Sequence, residues 1–238
     1  MVDETRKIQS VERALRILEI LAQQGGSARL SDLAQEMALN KSTLHGLLNT
    51  LSAMGYTARE GSRYTLGLRL REVAQPLSDY DEVLRRRFRP LVEEMQHISG
   101  QNVYLAAPCG TREYLYIDVA GDKGYFQGIS PRGRREGLTT SAMGKVFLAN
   151  IDWLARSLKR AGRLDAALKT ELAQVRGRGY ALDLGESEAG LMAFAVPLQV
   201  EMRTAAGLSV AGRAADISEA DLHEWAAVCM RLQLAMRE

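Results

Sequence analysis

The chain has 238 residues, 46% of them hydrophobic, and a formal net charge of only +2. That length suits two modest domains with packed cores, and no apolar run approaches the roughly 20 residues of a membrane span. Two cysteines, Cys109 and Cys229, argue against a disulfide scaffold and for a reducing, cytoplasmic compartment, while the near-neutral charge carries no bulk signature of nucleic-acid binding.

The opening MVDETRKIQS lacks the apolar core of a signal peptide. IQSVERALRILEILAQQGG then predicts a first helix. Val11, Ala14, Leu15, Leu18 and Leu21 form its apolar stripe, Ser10 is a candidate cap, and Gly25-Gly26 stops it. Arg29 to Leu39 reads as a second helix, capped by Ser31, with Leu30, Leu33, Ala34 and Met37 facing inward. Ala38, Leu39 and Asn40 separate it from a third helix, NKSTLHGLLNTL, with Asn40 as N-cap. In that helix Leu44, Leu47, Leu48 and Leu51 fall on one face. Lys41, Ser42, Thr43, His45, Gly46 and Asn49 fall on the other, a short polar front free of acids. Two short helices joined by a three-residue turn make a helix-turn-helix, whose second helix can enter a DNA major groove. YTAREGSRYTLG predicts a hairpin wing turning at Glu60-Gly61-Ser62, with Arg59 and Arg63 within reach of phosphates. Residues 1–72 carry ten Lys and Arg against eight Asp and Glu, again +2. The DNA case therefore rests on architecture and local surface.

After the wing, the helical pattern is interrupted at Pro76, which predicts a linker helix before it and a longer helix from Tyr80 to Ile98. Arg85, Arg86, Arg87 and Arg89 read as a solvated face. QNVYLAAPC and EYLYIDVAG alternate as strands around Gly110-Thr111. KGYFQGISPRGRREG is glycine-rich and basic and reads as a mobile loop. LTTSAMGKVFLAN opens a helix capped by Thr140 or Ser141, with Lys145, Val146, Phe147 and Leu148 inside. Helices follow between Trp153 and Arg178, then strands in YALDL, GLMAFAVPLQ and AAGLSVAG. SEADLHEWAAVCMRLQLAMRE closes the chain as an amphipathic helix capped by Ser218. This mixture predicts an α+β fold with an antiparallel sheet covered by helices. Asp183 lies in YALDL, where alternation places it either on the side of Tyr180 or on the other. The helix start at Ser141, Ala142 and Met143 offers orphan amides and a dipole that suit a carboxylate. Cys109 reads as a turn residue and Cys229 as core. His97 and His223 have no ligand-spaced neighbours, so neither metal nor cofactor is expected.

SVERALRILEILA, RLSDLAQEMALNKSTLHGLLNTLSAMGY, YTLGLRL, LTTSAMGKVFLA, VRGRGYALDLGE and GLMAFAVPL with GLSVAG together resemble, over nearly the whole chain, the IclR family of bacterial transcription regulators. The resemblance implies a winged helix-turn-helix domain (1–67), a linker helix (68–83) and a GAF-like effector-binding domain (84–238). It implies double-stranded operator DNA and a small-molecule effector as partners. It also implies a homodimer, paired again into a homotetramer, that regulates catabolic genes, with a repressor as the expected type. DNA contact is expected from Lys41, Ser42, Thr43, His45, Gly46, Asn49 and Arg63, with Gly46 where the family often has arginine. In the family's effector pocket Asp183 matches an aspartate and Ser209 the first of two serines. Ala193 stands in place of a cysteine or serine, and Ala211 in place of the second serine. The effector is therefore expected between Ser141, Ala142, Met143, Asp183, Ala193, Ser209, Ala211 and the loop at 124–137. The loss of polar anchors favours a larger or aromatic organic acid over glyoxylate or pyruvate. An enzyme is not expected, since no Ser-His-Asp spacing, G-x-S-x-G, phosphate loop or paired carboxylate motif appears. The remaining alternative is a sensory protein, or an enzyme using the pocket, without DNA output.

Overall fold

The structure is a computed structural model that describes residues 8–121 and 133–236. The chain forms two compact units, residues 1–79 and 80–238, divided inside one helix. The first unit comprises α1 (Gln9–Gln23), β1 (Ser27–Arg29), α2 (Leu30–Glu36), α3 (Lys41–Ala53), β2 (Thr57–Glu60) and β3 (Arg63–Leu66). Its strands form an antiparallel sheet in the order β1-β3-β2. Ile17, Ile20, Leu21, Leu33, Leu44, Leu48, Leu51 and Tyr64 make its core, with Ala14, Leu18, Leu30, Ala34, Met37 and Leu47 packed around them.

This core corrects the stripe expected of α1. Val11 and Leu15 point outward, 52% and 56% exposed, and Ile17 and Ile20 take the core positions. Ser10 is no cap, because the helix starts one residue earlier behind Ile8. At its other end Gly25 and Gly26 adopt φ +76° and +94°. Their amides bond back to the carbonyls of Ala22 and Leu21, which satisfies carbonyls a helix end leaves orphaned. Ser31 does not cap α2 either: β1 runs straight into the helix with Arg29 as the flanking residue, and the Ser31 hydroxyl donates to Asp32 instead. The α2–α3 turn repeats the α1 ending without glycine. The Ala38 amide bonds the Gln35 carbonyl and the Leu39 amide the Ala34 carbonyl, with Ala38 at φ +49°. Beyond the wing Gly67 is required by close approach, since a Cβ there would lie 2.0 Å from the Gly55 carbonyl oxygen.

Helix α4 (Arg69–Ser99) runs without interruption through Pro76, contrary to the expected break. Residues 71–80 are all exposed, so water can serve the Glu72 carbonyl that Pro76 leaves without an intrahelical donor. Nor are all the arginines merely solvated. Arg85 pairs with Glu82 at 2.6 Å and donates to the Ile117 carbonyl, and Arg89 bridges Glu93 (2.6 Å) and Asp118 (3.2 Å).

The second unit is built on a six-stranded antiparallel sheet in the order β6-β5-β4-β9-β8-β7. The strands are β4 (Asn102–Cys109), β5 (Glu113–Ala120), β6 (Arg135–Gly137), β7 (Ala181–Asp183), β8 (Leu191–Val200) and β9 (Arg203–Arg213). The remaining helices are α5 (Ala142–Asn150), α6 (Asp152–Arg160), α7 (Ala166–Arg178) and α8 (Glu219–Ala235). On one face the sheet buries Phe194, Val196, Leu208 and Val210 against Leu84, Phe88, Leu91 and Met95 of α4 and Leu222, Ala226 and Cys229 of α8. On the other it packs under Met143, Val146, Phe147, Leu154, Leu158 and Leu172 of α5, α6 and α7. This α+β, GAF-like architecture is the one expected. The basic loop is corrected in part: residues 135–137 are a strand paired with β5, while 123–132 lie outside the described residues. Ser141 caps α5, accepting from the Gly144 amide at 3.2 Å. Gly144 lets α5 start against residue 138, because a Cβ would sit 2.5 Å from Leu138 backbone atoms. Ser218 caps α8 in a reciprocal pair with Asp221. No helix among the described residues is long and apolar enough to cross a membrane.

Candidate functional site

Two surfaces carry the candidate chemistry. The first is the front of α3. Asn40 caps the helix, its side-chain oxygen accepting from the Thr43 amide (2.8 Å) and the Ser42 hydroxyl (2.9 Å). Lys41, Ser42, His45, Gly46 and Asn49 are exposed and Thr43 is half-buried, while Leu44, Leu48 and Leu51 anchor the back. The Asn49 amide nitrogen lies 3.1 Å from His45 Nδ1. This i, i+4 contact ties the two side chains together on the exposed face of the helix. Gly46 has an ordinary helical φ and open space around its missing Cβ. Its bareness is a feature of the surface, not a demand of the backbone. Arg63 is engaged across the sheet, donating to the Ser27 hydroxyl (3.1 Å) and carbonyl (2.9 Å). Arg59 donates to the Gly61 carbonyl and stacks over Tyr64.

The second is a small, partly open cavity of about 60 Å³ on the α5 side of the second sheet. Strand register explains its lining. Asp183 pairs with Ala193 and Ala193 with Ala211; one step along, Ala195 pairs with Ser209 and Ser209 with Tyr104. Side chains alternate across a sheet, so these two rows share a face. Asp183 thus points away from the side of Tyr180, which packs on the opposite core. Ser141, Ala142, Met143, Asp183, Ala193, Ser209 and Ala211 all line this one cavity. Residues 124–132, expected at its border, lie outside the described residues.

Asp183 is buried and already committed. Its Oδ1 accepts from the Gly185 (3.1 Å), Glu186 (2.8 Å) and Ser187 (3.3 Å) amides, and its Oδ2 from the Ser187 hydroxyl. Ser209 donates to the Phe194 carbonyl at 2.7 Å, and Ser141 to the Gly137 carbonyl at 3.2 Å. The sequence reading missed the aromatic wall. Tyr104, Tyr114 and Tyr116 line the cavity, with Tyr116 centred 5.3 Å from each of the other two rings. The Tyr114 and Tyr116 hydroxyls both donate to Glu136, at 2.6 and 2.9 Å. Burial pushes both phenols above the usual tyrosine range, and the Glu136 carboxylate adds to the shift. Their signal was the i, i+2 spacing of two tyrosines in EYLYIDV, which puts both on one face of a strand. Cys229 is core, its thiol pushed up to about 12 by burial. Among the described residues no group of three His, Cys, Asp or Glu side chains is placed to hold a metal.

The family model described as IclR helix-turn-helix domain matches residues 10–61. The one described as bacterial transcriptional regulator IclR C-terminal matches residues 81–231. The HTH-type transcriptional regulator XynR of Escherichia coli is 34% identical, with 90% of each chain covered. The HTH-type transcriptional regulator BhcR of Paracoccus denitrificans is 30% identical, covering 92% of this chain and 83% of that one. The fold matches an IclR-family regulator from Brucella abortus with TM-score 0.75 at 18% identity, covering 99% and 94% of the two chains. It also matches an IclR homolog from Microbacterium hydrocarbonoxydans complexed with 4-hydroxybenzoate, with TM-score 0.69 at 22% identity, covering 96% and 99%.

Proposed function

The chain belongs to the IclR family of bacterial transcriptional regulators, and we propose that it reads an operator through α3 and answers a small organic acid bound in the cavity of its second unit. The acid-free front of α3 supports the first half. Lys41 and Arg63 take phosphates; Ser42, Thr43, His45 and Asn49 face base edges; Gly46 lets the DNA come close. In mobility shifts Lys41→Ala weakens specific and random DNA alike and lowers the salt slope by about one. Thr43→Ala or His45→Ala instead changes the ratio of specific to random binding. An unchanged ratio in both would sink the assignment. Two relatives, the transcriptional repressor IclR of Escherichia coli and an acetate operon repressor of Salmonella typhimurium, support repression of a catabolic operon as the output.

The effector half is carried by a single observation: seven residues picked from the sequence line one cavity with an aromatic wall. The Ala142 and Met143 amides receive a carboxylate. Tyr104 and Tyr116, in contact with each other, form one wall for a ring to pack against, and Asp183 and Glu136 accept from a ligand hydroxyl. Ala193 and Ala211 supply volume and no donor, and an unpaired ligand oxygen there costs about 1–3 kcal/mol. The 4-hydroxybenzoate complex of the Microbacterium homolog is in keeping with a hydroxylated aromatic acid. Calorimetry on such acids beside glyoxylate and pyruvate tests this. Tight binding of the two small acids, undiminished in Asp183→Ala, would defeat both the ligand class and the location.

The active species is a homodimer, joined again into a tetramer through the second units, with 68–83 as the linker. Two exposed apolar stripes favour it: Val11 and Leu15 on α1 with Ile8 at its N-cap, and Val73, Leu77 and Tyr80 on α4. Each stripe follows helical spacing and has more apolar surface than a solvated helix needs. Light scattering that finds a monomer at micromolar concentration, with and without DNA, would exclude it.

A further inference from the structure

Lys145 lines no part of the cavity, yet it holds a piece of the rim. Its side chain is fully buried on α5. The ammonium lies 2.7 Å from Glu171 on α7, 2.7 Å from Glu186, and 3.3 Å from the Leu182 carbonyl of β7. Glu186 belongs to the segment 184–190 that joins β7 to β8, most of it exposed. Ser187 and Glu188 of that segment line the cavity. Gly185 and Gly190 bound it with φ +94° and +82°, backbone states that glycine reaches without strain.

We propose that residues 184–190 form a releasable strap over the cavity rim, and that Lys145 is its positioning residue through Glu186. A buried ammonium cannot be left without a counter-charge. One carboxylate would therefore lock the strap permanently. Two carboxylates divide the task. Glu171, 30% exposed and carried by a helix, stays with the cation together with the Leu182 carbonyl. Glu186, 50% exposed and carried by a glycine-bounded segment, can leave into water without stranding Lys145. When Glu186 leaves, the middle of the strap keeps the Asp183 bonds to its amides and to the Ser187 hydroxyl, its far end stays anchored by the Ala214 amide on the Gly190 carbonyl, and Asp183 itself lines the cavity. A ligand that engages Asp183 therefore competes with the strap for the same oxygens. The purpose assigned to the strap rests on the cavity being the effector site; its motion does not.

Hydrogen exchange on the full chain, read by mass spectrometry without ligand or DNA, tests the division of labour. Glu186→Gln should speed exchange of the 185–187 amides on the order of tenfold while β8 and α5 stay protected. Glu171→Gln, which leaves Glu186 as the sole carboxylate on the cation, should leave that segment as slow as in the parent or slower. Equal acceleration in both variants would reduce the cluster to a fold-stabilising ion pair and overturn the proposal, as would no acceleration in Glu186→Gln. A calorimetric panel that finds no ligand would defeat the effector reading and leave this exchange result standing.

Discussion

The buried ammonium of Lys145 makes a prediction about sign as well as size. In a Glu171→Ala/Glu186→Ala double variant the cation keeps only the Leu182 carbonyl. Stripping a buried charge of its counter-charge costs about 3–5 kcal/mol. Lys145→Met removes the cation instead. Glu171 and Glu186, 30% and 50% exposed, then return to water, and the main loss is the donor to Leu182, worth about 1–3 kcal/mol. Adding Lys145→Met to the double variant should therefore raise its stability, although a third native side chain has been removed. Both tryptophans, Trp153 and Trp225, lie in the second unit, so their fluorescence during urea unfolding reads that unit alone. With a slope of about 2 kcal/mol per molar urea, the double variant's midpoint should fall by roughly 1.5–2.5 M, and the triple variant should recover about half of that. A triple variant less stable than the double would refute the reasoning, because it would mean that the lone ammonium was solvated where it stood.

Three further outcomes follow from other positions. Gly46→Ala should stabilise the first unit by about 0.5–1 kcal/mol, since the backbone is helical and the space is open, while weakening operator binding; a variant neither more stable nor weaker would remove Gly46 from the DNA surface. Glu201 and Met202 both adopt positive φ, +48° and +63°, in the two-residue turn between β8 and β9. Met202→Gly should therefore raise the thermal midpoint, in line with the roughly 1–2 kcal/mol cost of a left-handed residue less the extra freedom glycine gains when unfolded, and a lowered midpoint would contradict this. Folding raises the Tyr114 and Tyr116 phenols, so their share of stability is complete below about pH 10 and is lost as pH climbs toward their folded values. Alkaline titration by tyrosinate absorbance should show a late fraction that shrinks in Tyr116→Phe; an unchanged late fraction would count against the Glu136 cluster.

Helix α3 was legible because its leucines leave one period and Asn40 caps it through the Thr43 amide. Helix α1 was misread at Val11 and Leu15 for a physical reason: periodicity marks an apolar face without saying what covers it, and α1 has two such faces. Ser10 and Ser31 are competent caps by type, but the helices begin before them, where strand or chain direction sets the start. Pro76 predicts a break because it lacks a donor and crowds the Glu72 carbonyl; the helix continues because that turn is exposed and water can take the orphaned carbonyl. Three-residue strands such as β1 and β6 hold too few residues for alternation to show. The polar cavity residues came from family resemblance, and Asp183's face needed the register. The tyrosine wall needed neither, only that two tyrosines two apart be taken as one surface.

The row across β7, β8 and β9 that starts at Asp183 continues with Ala193 and Ala211, and all three line the cavity. The cavity is therefore made by omission: methyl groups stand where a sheet of this kind could carry Val, Leu or Tyr. The strands are joined there by backbone bonds, which are indifferent to side-chain identity. The shape and polarity of the cavity can accordingly drift by single substitutions at 193 and 211 while the register holds. A serine there adds a donor, a cysteine adds a soft group, and a valine shortens the accepted molecule. On the proposed effector reading, a library confined to those two positions should change which acid the cavity accepts and keep one common fold, which makes this sheet face a practical starting point for building biosensors.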